Sequence, residues 1–166
     1  MFKVFGAVMI MSAFLMIGFG RVSAIKSRQQ LMELMRKSVS LLKSEISLKQ
    51  SSLSEAFENV GAICSNIYFC ECGQNVKSDG AAAAYKRAIG RAVNDFRLSS
   101  DEKEVLLTLS DGLGKRNLTE QLSQIDYTLS LVEKSAIDLK RDVGERSKLI
   151  LQGASFIGAA TVIILL

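Results

Sequence analysis

The chain has 166 residues, 21 of them basic and 17 acidic, for a net charge of +4, and it contains no histidine, tryptophan or proline. So small a surplus, with no aromatic ladder beside it, excludes the dense basic surface that binding to a nucleic-acid backbone requires. The missing histidine removes the commonest general base and the commonest metal ligand together, which points away from an enzyme.

From the start of the chain, Val4 to Gly20 is an uncharged apolar run of 17 residues, and Leu149 to Leu166 is a second of 18. At ~1.5 Å per residue they extend about 25 and 27 Å, at the short end of what spans a hydrocarbon core of about 30 Å. All the acidic residues and all the basic ones but Lys3 lie between Arg21 and Lys148. The expected organisation is therefore an N-terminal anchor over residues 1–20, a helical bundle over 21–148, and a C-terminal membrane segment over 149–166. Lys3, the apolar run and Val22-Ser23-Ala24 resemble a cleavable signal, but Arg21 directly before the small residues favours an uncleaved anchor. Five basic residues between Arg21 and Lys37 face a single acid, Glu33, and five more between Lys134 and Lys148 face three. The positive-inside tendency then puts the middle domain in the cytoplasm and both termini across the membrane.

Between the runs the pattern is helical throughout, and the absence of proline suits long helices. Ile25 to Lys49 carries Leu31, Leu34, Met35, Val39, Leu42 and Ile46 largely at helical intervals. After Gln50-Ser51-Ser52, the pair Ser52 and Glu55 has the spacing of a capping box, and Leu53 through Ile67 continues as the next helix. Gly73 to Gly80 reads as a polar loop. Asp79 stands as a cap before Ala81 to Phe96, a strong helix. Ser99 and Glu102 form a second capping-box pattern ahead of a helix over Lys103 to Leu113, which Gly112 and Gly114 stop. Asn117, with Glu120 three residues on, caps a last helix that runs from Leu118 into the second apolar run. The fold expected is all-α, an antiparallel helical bundle flanked by two transmembrane helices.

Few residues gather into a chemical site. Cys70-Glu71-Cys72 is one residue tighter than a zinc knuckle, and with Cys64 it supplies three thiols and no fourth ligand, so helix-face thiols are the expectation. Gly112-Leu113-Gly114-Lys115 lacks the preceding strand and the following Ser or Thr of a phosphate loop and is rejected as a nucleotide site. Glu45, Glu55, Asp95 and Asp111 are the carboxylates available for acid-base work, and nothing in the sequence brings them together; Glu45 and Glu55 read as capping or interhelical groups. No catalytic, cofactor-binding or metal-binding residue is assigned. Gly153, Ala154, Gly158, Ala159 and Ala160 give the last segment a small-residue face of the kind that lets membrane helices approach.

The order of these features carries a resemblance. Ile17-Gly18-Phe19-Gly20 ends the first run, and Gln30-Leu31-x-x-Leu34, Leu41-Leu42-Lys43-Ser44-Glu45-Ile46 and Leu53-Ser54-Glu55-Ala56-Phe57 follow. Leu113-Gly114-Lys115-Arg116-Asn117 and Gln121 lead into the last helix. Across essentially its whole length the chain resembles the stage III sporulation protein AB family. It departs from the family's prolines and from a Gly-x-Ser-Asp, here Gly114-Lys115-Arg116-Asn117. The resemblance implies a membrane platform subunit, without enzymatic activity, in the secretion-like complex that the mother cell builds around the forespore. It also implies a cytoplasmic domain similar to that of the inner-membrane platform proteins of type II secretion and type IV pili. Partners then expected are sister membrane subunits, a cytosolic assembly ATPase and further copies of the chain. The reading from another class is a membrane-anchored redox or metal sensor acting through Cys64, Cys70 and Cys72.

Overall fold

The computed structural model describes residues 2–49, 51–114 and 117–165, with only some of the side chains in the two apolar runs. Every regular element among the described residues is a helix. The first, α1, spans Phe2–Lys49. Four shorter helices follow: α2 (Leu53–Cys64), α3 (Ile67–Asp79), α4 (Ala81–Phe96) and α5 (Ser100–Leu107). A 3-10 turn over Thr108–Asp111 leads to α6, Leu118–Leu165. Two compact units result: residues 30–137 form one, and residues 1–29 with 138–166 form the other.

In the unit of residues 30–137, α1 and α6 run antiparallel. Lys43 Nζ meets Asp126 Oδ1 at 2.6 Å, and Arg36 Nη1 meets Glu133 Oε1 at 3.5 Å. Both pairs of residue numbers sum to 169, as an antiparallel register requires. The buried stripe of α1 is Leu31, Met35, Val39, Leu42 and Ile46, spaced by three or four residues so that one face turns inward. Leu34 and Leu41 lie at its edge and Leu48 points outward. Ile125 and Val132 of α6 are buried in the same unit.

The α2–α3 corner differs from the continuous helix expected through Ile67. Ser65 takes a left-handed backbone (φ 54°), and Asn66 starts α3 by accepting from the N–H groups of Tyr68 and Phe69 with its side-chain oxygen. The two helices then pack unusually close. A Cβ on Gly61 would lie 2.5 Å from Cys70 Sγ, and one on Gly73 would lie 2.6 Å from Glu58 Cγ. Gly73 is thus a packing residue inside a helix, and the loop read over Gly73 to Gly80 is corrected: α3 continues to Asp79. The chain turns at Gly80 alone, where φ is 82°. Asp79 is not the cap of α4. Gly80 holds that position without a side-chain bond, and Asp79 instead receives Arg87 at 2.6 Å.

Helix α4 begins and ends where its composition places it, and Ala81, Ala84, Tyr85, Ala88, Ile89 and Ala92 form its buried face. Tyr85 stands in an aromatic cluster with Phe57 and Phe69, both ring centroids 6.1 Å away, and those two phenylalanines lie 5.2 Å apart. Its hydroxyl donates to the Leu106 carbonyl at 3.0 Å, so the one polar atom of this buried ring is satisfied. The Ser99–Glu102 capping box forms in full; at Ser52 the hydroxyl accepts from Glu55 N–H. Helix α5 starts at Ser100 and ends at Leu107, short of the expected Leu113, because the chain tightens into the 3-10 turn against α6. There Gln124 Nε2 donates to the Thr108 carbonyl at 3.1 Å. A Cβ on Gly112 would sit 2.5 Å from Gln124 Cβ. Gly112 therefore supplies space at a right-handed φ of −97°, while Gly114, at φ 79°, supplies the left-handed turn. Asn117 Oδ1 accepts from Thr119 N–H at 3.0 Å as the start of α6, and α6 stays helical through Gly144 and Gly153.

In the unit of residues 1–29 and 138–166, Val22 and Leu139 are buried. Met9, Met16, Ile17, Phe19, Leu149 and Phe156 are each at least 60% exposed. Among the described residues no helix is long and apolar enough to cross a membrane. The apolar runs include residues whose side chains are not described, among them Val4, Phe5, Val8, Ile10, Phe14 and Leu15.

Candidate interaction surface

The three thiols are placed by two short helices and do different things. Cys72 is buried, and that burial, with the nearby Glu71 carboxylate, pushes its thiol up to about 12. A thiol so placed stays protonated and unreactive at physiological pH. Cys70 is half-buried with its sulfur against Gly61, where it sets the α2–α3 spacing. Cys64 is half-buried in the last turn of α2. All three are free, and among the described residues no group of three or more His, Cys, Asp or Glu side chains could hold a metal ion.

The four candidate carboxylates lie on four different elements, and no hydrogen bond links any two of them. Glu45, on α1, is buried and receives Lys49 Nζ at 2.7 Å, so it is a helix-internal ion pair. Glu55 is exposed in the first turn of α2, where its negative charge suits the helix N-terminus. Asp95, on α4, accepts from the Tyr68 hydroxyl at 2.9 Å. Asp111 sits exposed in the 3-10 turn. Burial and the bond to Asp95 push Tyr68 up to about 12, so the phenol remains a donor and the pair is an interhelical tie. Lys115 and Arg116 lie outside the described residues, as do the side chains of Ala154 and Ala159 in the small-residue face.

Two polar ties were not legible as such. Asn66 is fully buried, and besides capping α3 it donates to Ser38 Oγ on α1 at 2.9 Å. The Tyr68–Asp95 bond joins residues 27 apart in the chain. The Ser65-Asn66 pair inside an otherwise apolar helical pattern was the available signal for the first, since both residues favour helix termini.

What the surface of the 30–137 unit offers is contact area. Ile63 and Ile67 flank the α2–α3 corner at 65% and 64% exposure, a pair of β-branched side chains left outside the core. Ile46, Ser51, Leu53, Leu118 and Gln121 line a mostly apolar opening of about 320 Å³ where α1 ends and α6 begins.

The described residues define an all-α protein: a helical bundle whose first and last helices continue into a second unit carrying the apolar runs. Residues 3–166 match the family described as stage III sporulation protein AB, and the chain belongs to that family. Its role accordingly lies in sporulation. A solved structure titled stage III sporulation protein AB (SpoIIIAB) has the same fold, with a TM-score of 0.60 and 22% sequence identity. The likeness covers 69% of this chain and 93% of that one. The search of curated proteins finds no match.

Proposed function

We propose that this protein is a non-enzymatic assembly subunit held in the mother-cell membrane around the forespore by two spans, with the 30–137 unit in the cytoplasm. The observation that carries the reading is the exposure of the apolar runs. Met9, Met16, Ile17, Phe19, Leu149 and Phe156 stand outward on helices that hold no charge between Val4 and Gly20 or beyond Lys148. Such a surface is costly in water and at home in lipid. The flanking positive charge supports the cytoplasmic side for the bundle. Sister membrane subunits and a cytosolic assembly ATPase are the partners this reading names, with Ile63 and Ile67 as candidate contacts. The thiol-sensor alternative is weakened by Cys72, whose sulfur is buried and protonated.

The test is deletion of the gene in its spore-forming source, followed by microscopy with a membrane dye. Arrest after engulfment is the expected outcome, rescued by the wild-type gene and not by an Ile63→Glu, Ile67→Glu variant that reaches normal levels in the membrane. Normal spore formation in the deletion strain would refute the role.

A further inference from the structure

The charge of this protein is divided unevenly between its two units. Residues 1–29 and 138–166 hold eight basic residues (Lys3, Arg21, Lys26, Arg28, Lys140, Arg141, Arg146 and Lys148) against three acidic ones (Asp138, Asp142 and Glu145), a net of +5. The whole chain is +4, so the 30–137 unit is −1, with 13 basic and 14 acidic residues. No acid occurs before Glu33. The positive charge is therefore concentrated beside the apolar runs: Arg21 follows Gly20 directly and Lys148 directly precedes Leu149.

Part of this charge is already used. Arg141 Nε is bound to Glu145 Oε1 at 3.1 Å, and Arg28 and Asp142 both have partners. Arg21, Lys26 and Lys148 are exposed, and no ion pair holds them among the described residues. Lys26 lies five residues beyond Arg21, about 8 Å along the helix, within roughly one Debye length at physiological ionic strength. If both runs enter the same hydrocarbon layer, Arg21 and Lys148 emerge at one interface. Like charges gathered at one boundary repel unless an anion lies between them, and their long side chains reach headgroup depth while the stems stay on apolar surface.

We infer that Arg21, Lys26 and Lys148 form a collar that binds the headgroups of anionic phospholipids. The inference rests on the membrane reading above and adds to it a choice of lipid. The orientation rule concerns which side of the membrane a charge occupies; the collar makes the protein retain acidic lipid in preference to zwitterionic lipid. Arginine supplies a forked donor for phosphate oxygens and the lysines supply point charges, so the preference is for net negative charge, graded by the number of cations.

The experiment uses the full chain, reconstituted in nanodiscs of mixed phosphatidylcholine and phosphatidylglycerol, with the lipid retained on the protein measured by native mass spectrometry. The expected result is enrichment of phosphatidylglycerol that falls about fivefold for each cation neutralised and collapses in molar salt. The Arg21→Gln, Lys26→Gln, Lys148→Gln variant should lose the preference, while Lys140→Gln, farther from the apolar run, should keep it. Arg21→Gln alone serves if the triple variant loses its helical signal. Equal retention of the two lipids by the wild type would overturn the inference, as would a preference that survives the triple change. Displacement by glycerol 1-phosphate would also overturn it, since the cations would then hold a small anion rather than a lipid surface. A carbonate wash of native membranes separates the two ideas. Retention in the pellet without lipid preference defeats only the collar, and release defeats the spans along with it.

Discussion

Replacing Asn66 by alanine should be among the most damaging single changes in the 30–137 unit. Its oxygen accepts from Tyr68 N–H at 3.1 Å and Phe69 N–H at 3.3 Å, and its amide donates to Ser38 Oγ at 2.9 Å. Loss of a helix cap costs about 0.5–2 kcal/mol. Because the site is fully buried, the freed backbone donors cannot turn to water, which adds a penalty of about 1–3 kcal/mol. These effects overlap, and a total of about 2–4 kcal/mol follows. Ser38→Ala leaves the cap intact and leaves the amide its longer contact to Met35 Sδ at 3.7 Å, losing the Ser38 bonds to Asn66 and to the Leu34 carbonyl, so it should cost less than Asn66→Ala. The double variant should show a coupling of roughly 0.5–3 kcal/mol, as expected for residues in one buried network. Urea denaturation of the detergent-solubilised full chain, followed by far-UV circular dichroism, measures all three. Asn66→Ala within about 0.5 kcal/mol of wild type would refute the reasoning, as would simple additivity of the two changes.

Gly112→Ala should destabilise by about 1–3 kcal/mol, because the new methyl meets Gln124 at 2.5 Å. Gly144→Ala, where a Cβ meets nothing within 4 Å inside α6, should raise the melting temperature through about 0.5–1 kcal/mol of helix preference. Lys43→Ala should cost no more than about 1 kcal/mol although its ion pair is short, since both side chains are substantially exposed. Stability should fall as pH rises above about 9. Burial raises the acid groups of Cys72 and Tyr68 to about 12 and raises Tyr85 also, so the unfolded chain releases these protons first and is favoured. Urea midpoints at stepped alkaline pH, compared with those of Cys72→Ala, give the slope and the share owed to that thiol.

The elements that were legible have local causes. Ala81 to Phe96 was bounded correctly because its composition is strongly helical and its end meets a left-handed residue, Arg97, at φ 52°. The Ser99–Glu102 box and the Asn117 cap depend on residues three or fewer apart. The resemblance rested on the order of short segments, and the family match over residues 3–166 bears it out. Gly73 misled because a glycine that ends a helix and a glycine that lets two helices touch are the same letter. Only the approach of Ser54 and Glu58 distinguishes them.

The two uncharged runs, the helical period between them, most of the caps and the clustering of positive charge beside the runs are legible in the chain without its fold. Each is a property of composition or of neighbours within one helical turn. The tertiary structure alone decided that Asn66 reaches Ser38, that Cys72 is sealed while Ile63 and Ile67 stay outside, and that the turn before α6 tightens onto Gln124. Those outcomes depend on which helix comes to lie against which, and burial, close approach and hydrogen-bond partnership arise only when segments distant in the chain share the same space.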